Sequence, residues 1–274
     1  MLSLPMRVQA FGSNAHLIVG YIAEEHLCDS TRKAISPLLD GYSLAEVGLW
    51  ADKIRGYSQW DYAKPWHYLN VPDGVAIKDA QRSAKGDVLA AIKDMDRRLD
   101  DPALNDKQAL KEQVYALRFL VHFIADIHQP LHVGRRDDLG GNKVTVYFEA
   151  APGKRLRKTN LHRYWDSEVL NMAVLNPQAY ARDLVTRMQP DLAEWQPGEP
   201  EDWAAESMAF RGEVYNFQVG EGDVPTRLDA AYRARALEIL DQRLVLAGLR
   251  LATILDAHYC IAGEAEEPVV KGLN

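Results

Sequence analysis

The sequence predicts a mainly α, single-domain helical fold that carries one small β-hairpin. Three observations lead there. Apolar residues recur at helical spacing in eight segments, only one short stretch alternates like a strand, and no change of composition marks a linker or an internal repeat. With 274 residues, 47% of them hydrophobic, the chain is long enough for one large core.

Taken in chain order, residues 1–10, MLSLPMRVQA, end in a small residue like a signal cleavage site. They lack a full apolar segment preceded by positive charge, so they read as a leader or a vestigial signal segment. Helical spacing follows over 14–27, 43–55, 78–98, 104–128, 161–173, 177–188, 201–217 and 226–262. Residues 143–150, KVTVYFEA, alternate as a strand; APGK after them is a turn signal, and RLRK can pair back to close a hairpin. Residues 56–77, 133–142 and 190–200 collect Pro, Gly and polar side chains and read as loops. Residues 263–274 read as a flexible acidic tail, which leaves 11–262 as the folded domain.

Composition narrows the function classes. A net charge of -7 argues against binding nucleic acid through overall basic charge. No apolar run is long enough to span a bilayer, so no membrane partner is expected. Two cysteines, Cys28 and Cys260, exclude a disulfide scaffold and allow at most one bridge, with buried free thiols an equal alternative. No Asn-x-Ser/Thr sequon suggests a glycosylated form.

The chemistry concentrates in HFIADIHQPLH, residues 122–132. His122 and Asp126 are four apart and share one helix face. His128 is about 600° of rotation from His122, on the far side. Pro130 ends the helix, so helical phase does not fix the direction of His132. His162 and Asp166 repeat the four-residue spacing in NLHRYWD, Asp52 sits in LWADKIR, His67 in PWHYLN, and His16 opens the first helix in FGSNAH. Any one of these alone reads as a hydrogen-bonded core residue. Together they place many imidazoles and carboxylates in apolar neighbourhoods, where an unpaired charge is costly and a cation compensates it. All the donors are nitrogen or oxygen, which suits zinc at a catalytic site, but spacing does not count the ions.

These motifs resemble the trinuclear-zinc single-strand nucleases of the S1/P1 type, over residues 11 to 262. Members begin, after processing, with an aromatic residue and glycine and carry histidine at the sixth position, as in FGSNAH, where Phe11 replaces the usual tryptophan. WADKIR, the pair His67 and Tyr68, FLVHFIADIHQPLH, GGNK and NLHRYWD follow in the family's order. The resemblance implies a phospholipase C/nuclease-like fold and three zinc ions. Asp52, His67 and His122 would hold one; His16 with the amine and carbonyl of a freed Phe11 a second; Asp126 would bridge these two. His132, His162 and Asp166 would hold the third. His128 has no role in the family pattern.

The implied activity is hydrolysis of single-stranded DNA and RNA to 5'-phosphate products, with 3'-nucleotides also as substrates, by a metal-bridging hydroxide attacking phosphorus in line. Arg55, one helical turn after Asp52, is placed to stabilise phosphoryl charge alongside the catalytic Asp126. Tyr68 resembles the family's base-stacking residue, and Asn70 stands where an aspartate often accepts hydrogen bonds from the base. Gly140, Gly141 and Asn142 line the same pocket or simply turn the chain into its strand. Arg135, Arg136 and the run GKRLRK either track the phosphate backbone or form a solvated hairpin tip. Three divalent ions would bring the charge from -7 to about -1. A monomer in the periplasm or secreted is the expectation. The rivals are a zinc-dependent phospholipase C and a zinc-binding relative without turnover. The phospholipase carries a His-x-x-x-Glu pair where this chain has His162 and Asp166.

Overall fold

The computed structural model describes residues 11–99, 107–192, 198–222 and 224–261. The expected leader and tail, and the first residues of the helix expected from 104, lie outside them. Helix α1 is Ser13–His26, α2 Asp29–Leu39, α3 Leu44–Val47 and α4 Trp50–Ile54, followed by a 3-10 segment, Ser58–His67. Helices α5, Val88–Leu99, and α6, Lys107–His128, lead to a 3-10 turn at Pro130–Val133. Strands β1, Thr145–Glu149, and β2, Leu156–Asn160, precede α7, Leu161–Arg163, a π turn at Tyr164–Glu168, and α8, Val169–Ala173. Helices α9, Pro177–Leu192, α10, Pro200–Ala209, and α11, Arg211–Val214, are followed by β3, Arg227–Leu228, and α12, Ala230–Tyr259.

Helix α6 is the axis of the core. From Phe119 to Ile127 its apolar residues are buried on every side, because α5, α12, α10 and α1 surround it. A helix apolar all round is a buried one, and any polar side chain on it must find its partners inside the protein. That requirement falls on His122 and Asp126, both fully buried.

The hairpin exists as expected, with β1 and β2 antiparallel from Thr145 opposite Asn160 to Glu149 opposite Leu156. Its end delivers a site residue: the Asn160 side chain accepts from the Arg163 backbone N–H at 2.7 Å and so starts the helical turn that carries His162. Other elements differ from expectation. Helix α2 was not anticipated, and β3 pairs parallel to β1. The segment 43–55 breaks into α3 and α4, and 201–217 breaks into α10 and α11. The helix expected from 78 starts only at Val88, where Asp87 accepts from the Leu89 and Ala90 amides at 3.0 and 3.2 Å. The first half of the expected loop 56–77 holds a 3-10 helix, Ser58–His67, and residues 68–76 are irregular as expected. Cys28 and Cys260 form a disulfide joining the start of α2 to the end of α12, with 6.0 Å between Cα atoms, so the free-thiol alternative falls. No described helix is long and apolar enough to cross a membrane.

Candidate metal centre

The middle of α6 forms the floor of the site. His122 Nε2 stands 3.1 Å from Asp126 Oδ2, one helical turn away. Its Nδ1 donates to the Gly48 carbonyl at 2.7 Å, a group presented where the chain passes from α3 to α4. The 3-10 segment ends by placing His67 Nδ1 2.9 Å from Asp126 Oδ2 and 3.0 Å from His122 Nε2. Helix α4 brings Asp52 Oδ1 to 3.9 Å from His122 Nε2. From α1, the His16 ring stacks on His122 at 3.9 Å and its Nε2 lies 3.7 Å from Asp126 Oδ1. Phe11 is fully buried, with its backbone nitrogen 3.3 Å from the same oxygen.

A second group forms where α6 stops. Pro130 turns the chain, and His132 Nδ1 donates to the His67 carbonyl at 2.7 Å. Its Nε2 then lies 3.3 Å from Asp166 Oδ1, while His162 Nε2 lies 3.1 Å from Asp166 Oδ2. Asp166 rides on the π turn, a widening that recurs at functional sites. His162 Nδ1 donates to the Gly140 carbonyl at 2.7 Å. Gly140 has φ +62°, and a Cβ there would lie 2.5 Å from the Leu131 carbonyl oxygen, so only glycine holds that carbonyl in place. Gln129, fully buried, donates to Asp166 Oδ1 at 2.5 Å.

The donor chemistry fits a cation. In His122, His132 and His162, Nδ1 is committed to a backbone carbonyl, which fixes the tautomer and leaves Nε2 facing the carboxylates. Both ring nitrogens of His16, Asp52 Oδ1, His132 Nε2, His162 Nε2 and Asp166 Oδ2 are buried without an aligned hydrogen bond. These atoms lie close together without aligned hydrogen bonds, and a cation among them would relieve the cost of their burial. Among the described residues, three sets built from His and Asp alone place their donor atoms within 4.8 Å of one another: His16, Asp52 and His122; His67, His122 and Asp126; His132, His162 and Asp166. His122 belongs to two of them, so the geometry makes the five residues of the first two sets one continuous set.

Charge follows the same layout. Burial pushes the His67 imidazole down to about 3, against the pull of Asp126. Burial also acts on His132, but Asp126 and Asp166 outweigh it and carry that imidazole up to about 9. Burial would raise the carboxyls of Asp126 and Asp166, yet the neighbouring imidazoles hold both well below the usual carboxylate range. Both are anions at neutral pH.

The sequence profile described as S1/P1 Nuclease matches residues 11–259. The chain belongs to the S1/P1 nuclease family. It is 31% identical to Endonuclease 4 of Arabidopsis thaliana, over 90% of this chain and 88% of that protein. It is 27% identical to Nuclease S1 of Aspergillus oryzae, over 93% and 94%, and 28% identical to Nuclease P1 of Penicillium citrinum, over 65% and 67%. The match begins at Phe11, the residue whose nitrogen meets Asp126.

Around this S1/P1 nuclease centre the remaining residues sort by position. Arg55 Nη1 stands 3.5 Å from Asp52 Oδ1 and has no aligned hydrogen bond. Tyr68 and Asn70 follow His67, both half-buried. The Gly140–Asn142 loop spends its own donors internally: Gly140 N–H on the Arg135 carbonyl, Gly141 N–H on Asp138, and the Asn142 amide nitrogen on the Leu139 carbonyl, at 2.8 Å each. Its geometry is that of a braced turn, with the Asn142 amide oxygen left as an acceptor. Arg135 pairs with Asp73 and lies on the Tyr215 ring, and Arg136 donates to Gln81. His128 points away from the donors, donates from Nδ1 to the Ile124 carbonyl and meets Arg250 with Nε2. Gln129 has no role in the reading of the sequence; an amide just before a helix-ending proline is the signal that points to it.

Proposed function

We propose that this S1/P1 nuclease holds three zinc ions and hydrolyses single-stranded DNA and RNA to 5'-phosphate products, accepting 3'-nucleotides as well. The observation that carries the reading is Asp126, whose Oδ2 faces His67 and His122 while its Oδ1 faces the Phe11 nitrogen, His16 and His132. One buried carboxylate thus joins donors that approach from different sides. In this reading Asp52, His67 and His122 hold one ion; His16 with the freed amine and carbonyl of Phe11 a second; Asp126 is shared between them; His132, His162 and Asp166 hold the third.

When bound, the ions supply Lewis acidity to the phosphate oxygens and lower the pKa of a hydrolytic water. The side chains position the substrate. Arg55 offers its guanidinium to phosphoryl oxygens, where charge develops during displacement. Tyr68 stacks on an unpaired base, which explains a preference for single strands, since a paired base cannot leave its stack cheaply. Asn70 both donates and accepts, so it reads the base edge less strictly than a carboxylate. Gln129 keeps Asp166 oriented, and the Gly140 carbonyl does the same for His162. The Cys28–Cys260 bridge supports a secreted or periplasmic location, where disulfides persist.

Parallel assays on single-stranded DNA, duplex DNA, a 3'-mononucleotide and phosphatidylcholine test this. Cleavage of the first and third, lost on chelation and restored by zinc, is expected. Turnover of the lipid alone would favour the phospholipase, and three bound zinc ions without turnover would favour the silent relative.

A further inference from the structure

Beside Asp52 lies a polar cleft of about 200 Å³, lined by Gly12, Ser13 and Asn14 at the start of α1 and by Arg163, Ser167 and Asn171. Tyr68, Asn70 and the 140–142 loop are not part of it. The cleft offers no aromatic surface; its side chains are a guanidinium, a carboxylate, hydroxyls and amides.

Its shape is built in. Gly12 N–H donates to the Asp166 carbonyl at 2.8 Å, and a Cβ at Gly12 would lie 2.5 Å from that oxygen and 2.7 Å from Ser167 Oγ. Glycine therefore lets α1 begin flush against the segment that carries Asp166. Asn14 Nδ2 donates to Asn171 Oδ1 at 3.1 Å, which ties α1 to α8 across the floor and leaves the Asn171 amide nitrogen as a donor. Arg163 is half exposed and only loosely held, 3.7 Å from Glu168, which Arg157 also engages at 3.1 Å. Its charge is available to an anion, and the positive end of α1 adds to it.

An endonuclease must hold chain on both sides of the bond it cuts. Tyr68 and Asn70 flank Leu69, whose N–H donates to the His132 carbonyl at 2.8 Å, so in the reading proposed above the base they take lies on the His132 side of the centre, which would hold the leaving 3'-oxygen. The other side needs a grip on sugar and phosphate that ignores the base. We propose that the Asn14–Arg163–Asn171 cleft binds the sugar and 3'-phosphate of the nucleotide that follows the scissile bond. The inference rests on the nuclease reading. It has a consequence that reading lacks: a 3'-mononucleotide has no following nucleotide and does not use the cleft.

The test compares wild type with Arg163→Gln and with Arg163→Gln/Asn171→Ala, all zinc-loaded. The ratio of kcat/KM on a single-stranded hexanucleotide to kcat/KM on a 3'-mononucleotide should fall roughly fivefold to tenfold, as expected for one lost charged hydrogen bond at a partly exposed site. Equilibrium binding of a phosphorothioate hexamer should lose about 0.7 from its log–log salt slope, the share of one phosphate contact on a single strand. An unchanged ratio and slope, with wild type cleaving both substrates, would overturn the cleft alone. Wild type cleaving neither would overturn the nuclease reading and the cleft with it.

Discussion

Phe11 and Asp126 are 115 positions apart, and the Phe11 backbone nitrogen stands 3.3 Å from Asp126 Oδ1 with both residues fully buried. An amide nitrogen there can only donate a hydrogen bond; a free amine has a lone pair to give to a metal. A protein beginning at Phe11 is therefore expected to bind one more zinc ion than the chain that retains residues 1–10. Native mass spectrometry of the two forms checks this, and equal stoichiometry would remove Phe11 from the ligand set.

Asp126→Asn keeps size and shape but removes the charge that faces His16, His67, His122 and His132. Cleavage should drop roughly a thousandfold or more, because charge stabilisation at a reacting centre commonly carries that weight. Far-UV circular dichroism should stay near wild type, since α6 is held by apolar packing along its length. A fully active variant would sink the shared-ligand role.

His128→Ala tests the opposite face of the same helix. Expected from the sequence to have no role, His128 is fully buried, donates to the Ile124 carbonyl at 2.7 Å and meets Arg250 at 2.9 Å. Burial, with Arg243 and Arg250 nearby, pushes its imidazole well below the ordinary value, so the ring is neutral. Truncation should cost about 2–4 kcal/mol through the cavity and the lost hydrogen bonds. Turnover measured well below the melting temperature should stay within about twofold, because the ring touches no donor of the centre. A melt shift of zero would mean that the network repairs itself.

The sequence carried the centre so legibly because its chemistry breaks a pattern: His122, Asp126, His132, His162 and Asp166 interrupt apolar runs, and helical phase separates His128 from them. Backbone groups left no such trace. The carbonyls of Gly48, His67 and Gly140 orient three imidazoles, yet every residue has a carbonyl. Helix α2 did have a signal in the buried Thr31, Ile35 and Leu38, but Pro37 reads as a break. Strand β3 has two residues and no period to detect. The disulfide spans 232 positions, and no spacing rule pairs cysteines that far apart.

That bridge should matter to stability. Closing a loop of this length restricts the unfolded chain, and Cys28→Ser/Cys260→Ser should lower stability by about 2–5 kcal/mol. Urea unfolding of the variant, compared with wild type under oxidising and reducing conditions, measures it. Reduction should shift wild type but not the variant; equal shifts would place the effect elsewhere.

Glu206 gives the pH prediction. Its carboxylate accepts from Arg243 at 2.6 Å and from Arg250 at 2.7 Å, behind the part of α6 that ends in His128. Burial tends to raise its pKa, but hydrogen bonds from Arg250 and Arg243 outweigh that and hold the carboxyl below its ordinary value. Arg243 is buried, and its other hydrogen-bond partners among the described residues are neutral: the His128 and Trp203 carbonyls and Ser207. Glu206→Gln should therefore cost about 1–3 kcal/mol at pH 7, less than a fully buried pair because Glu206 is 38% exposed. A lowered folded pKa means that this stabilisation is complete above about pH 4.3, the value of an unfolded glutamate, and is lost as the pH falls through the lower folded value. Urea unfolding at pH 7, 5 and 3 should show a steady gap between wild type and Glu206→Gln at the first two and a shrinking one at the last. The change must come from wild type losing stability, since the amide does not titrate; a gap that widens on acidification would mean that Glu206 is not held as an anion by the two arginines.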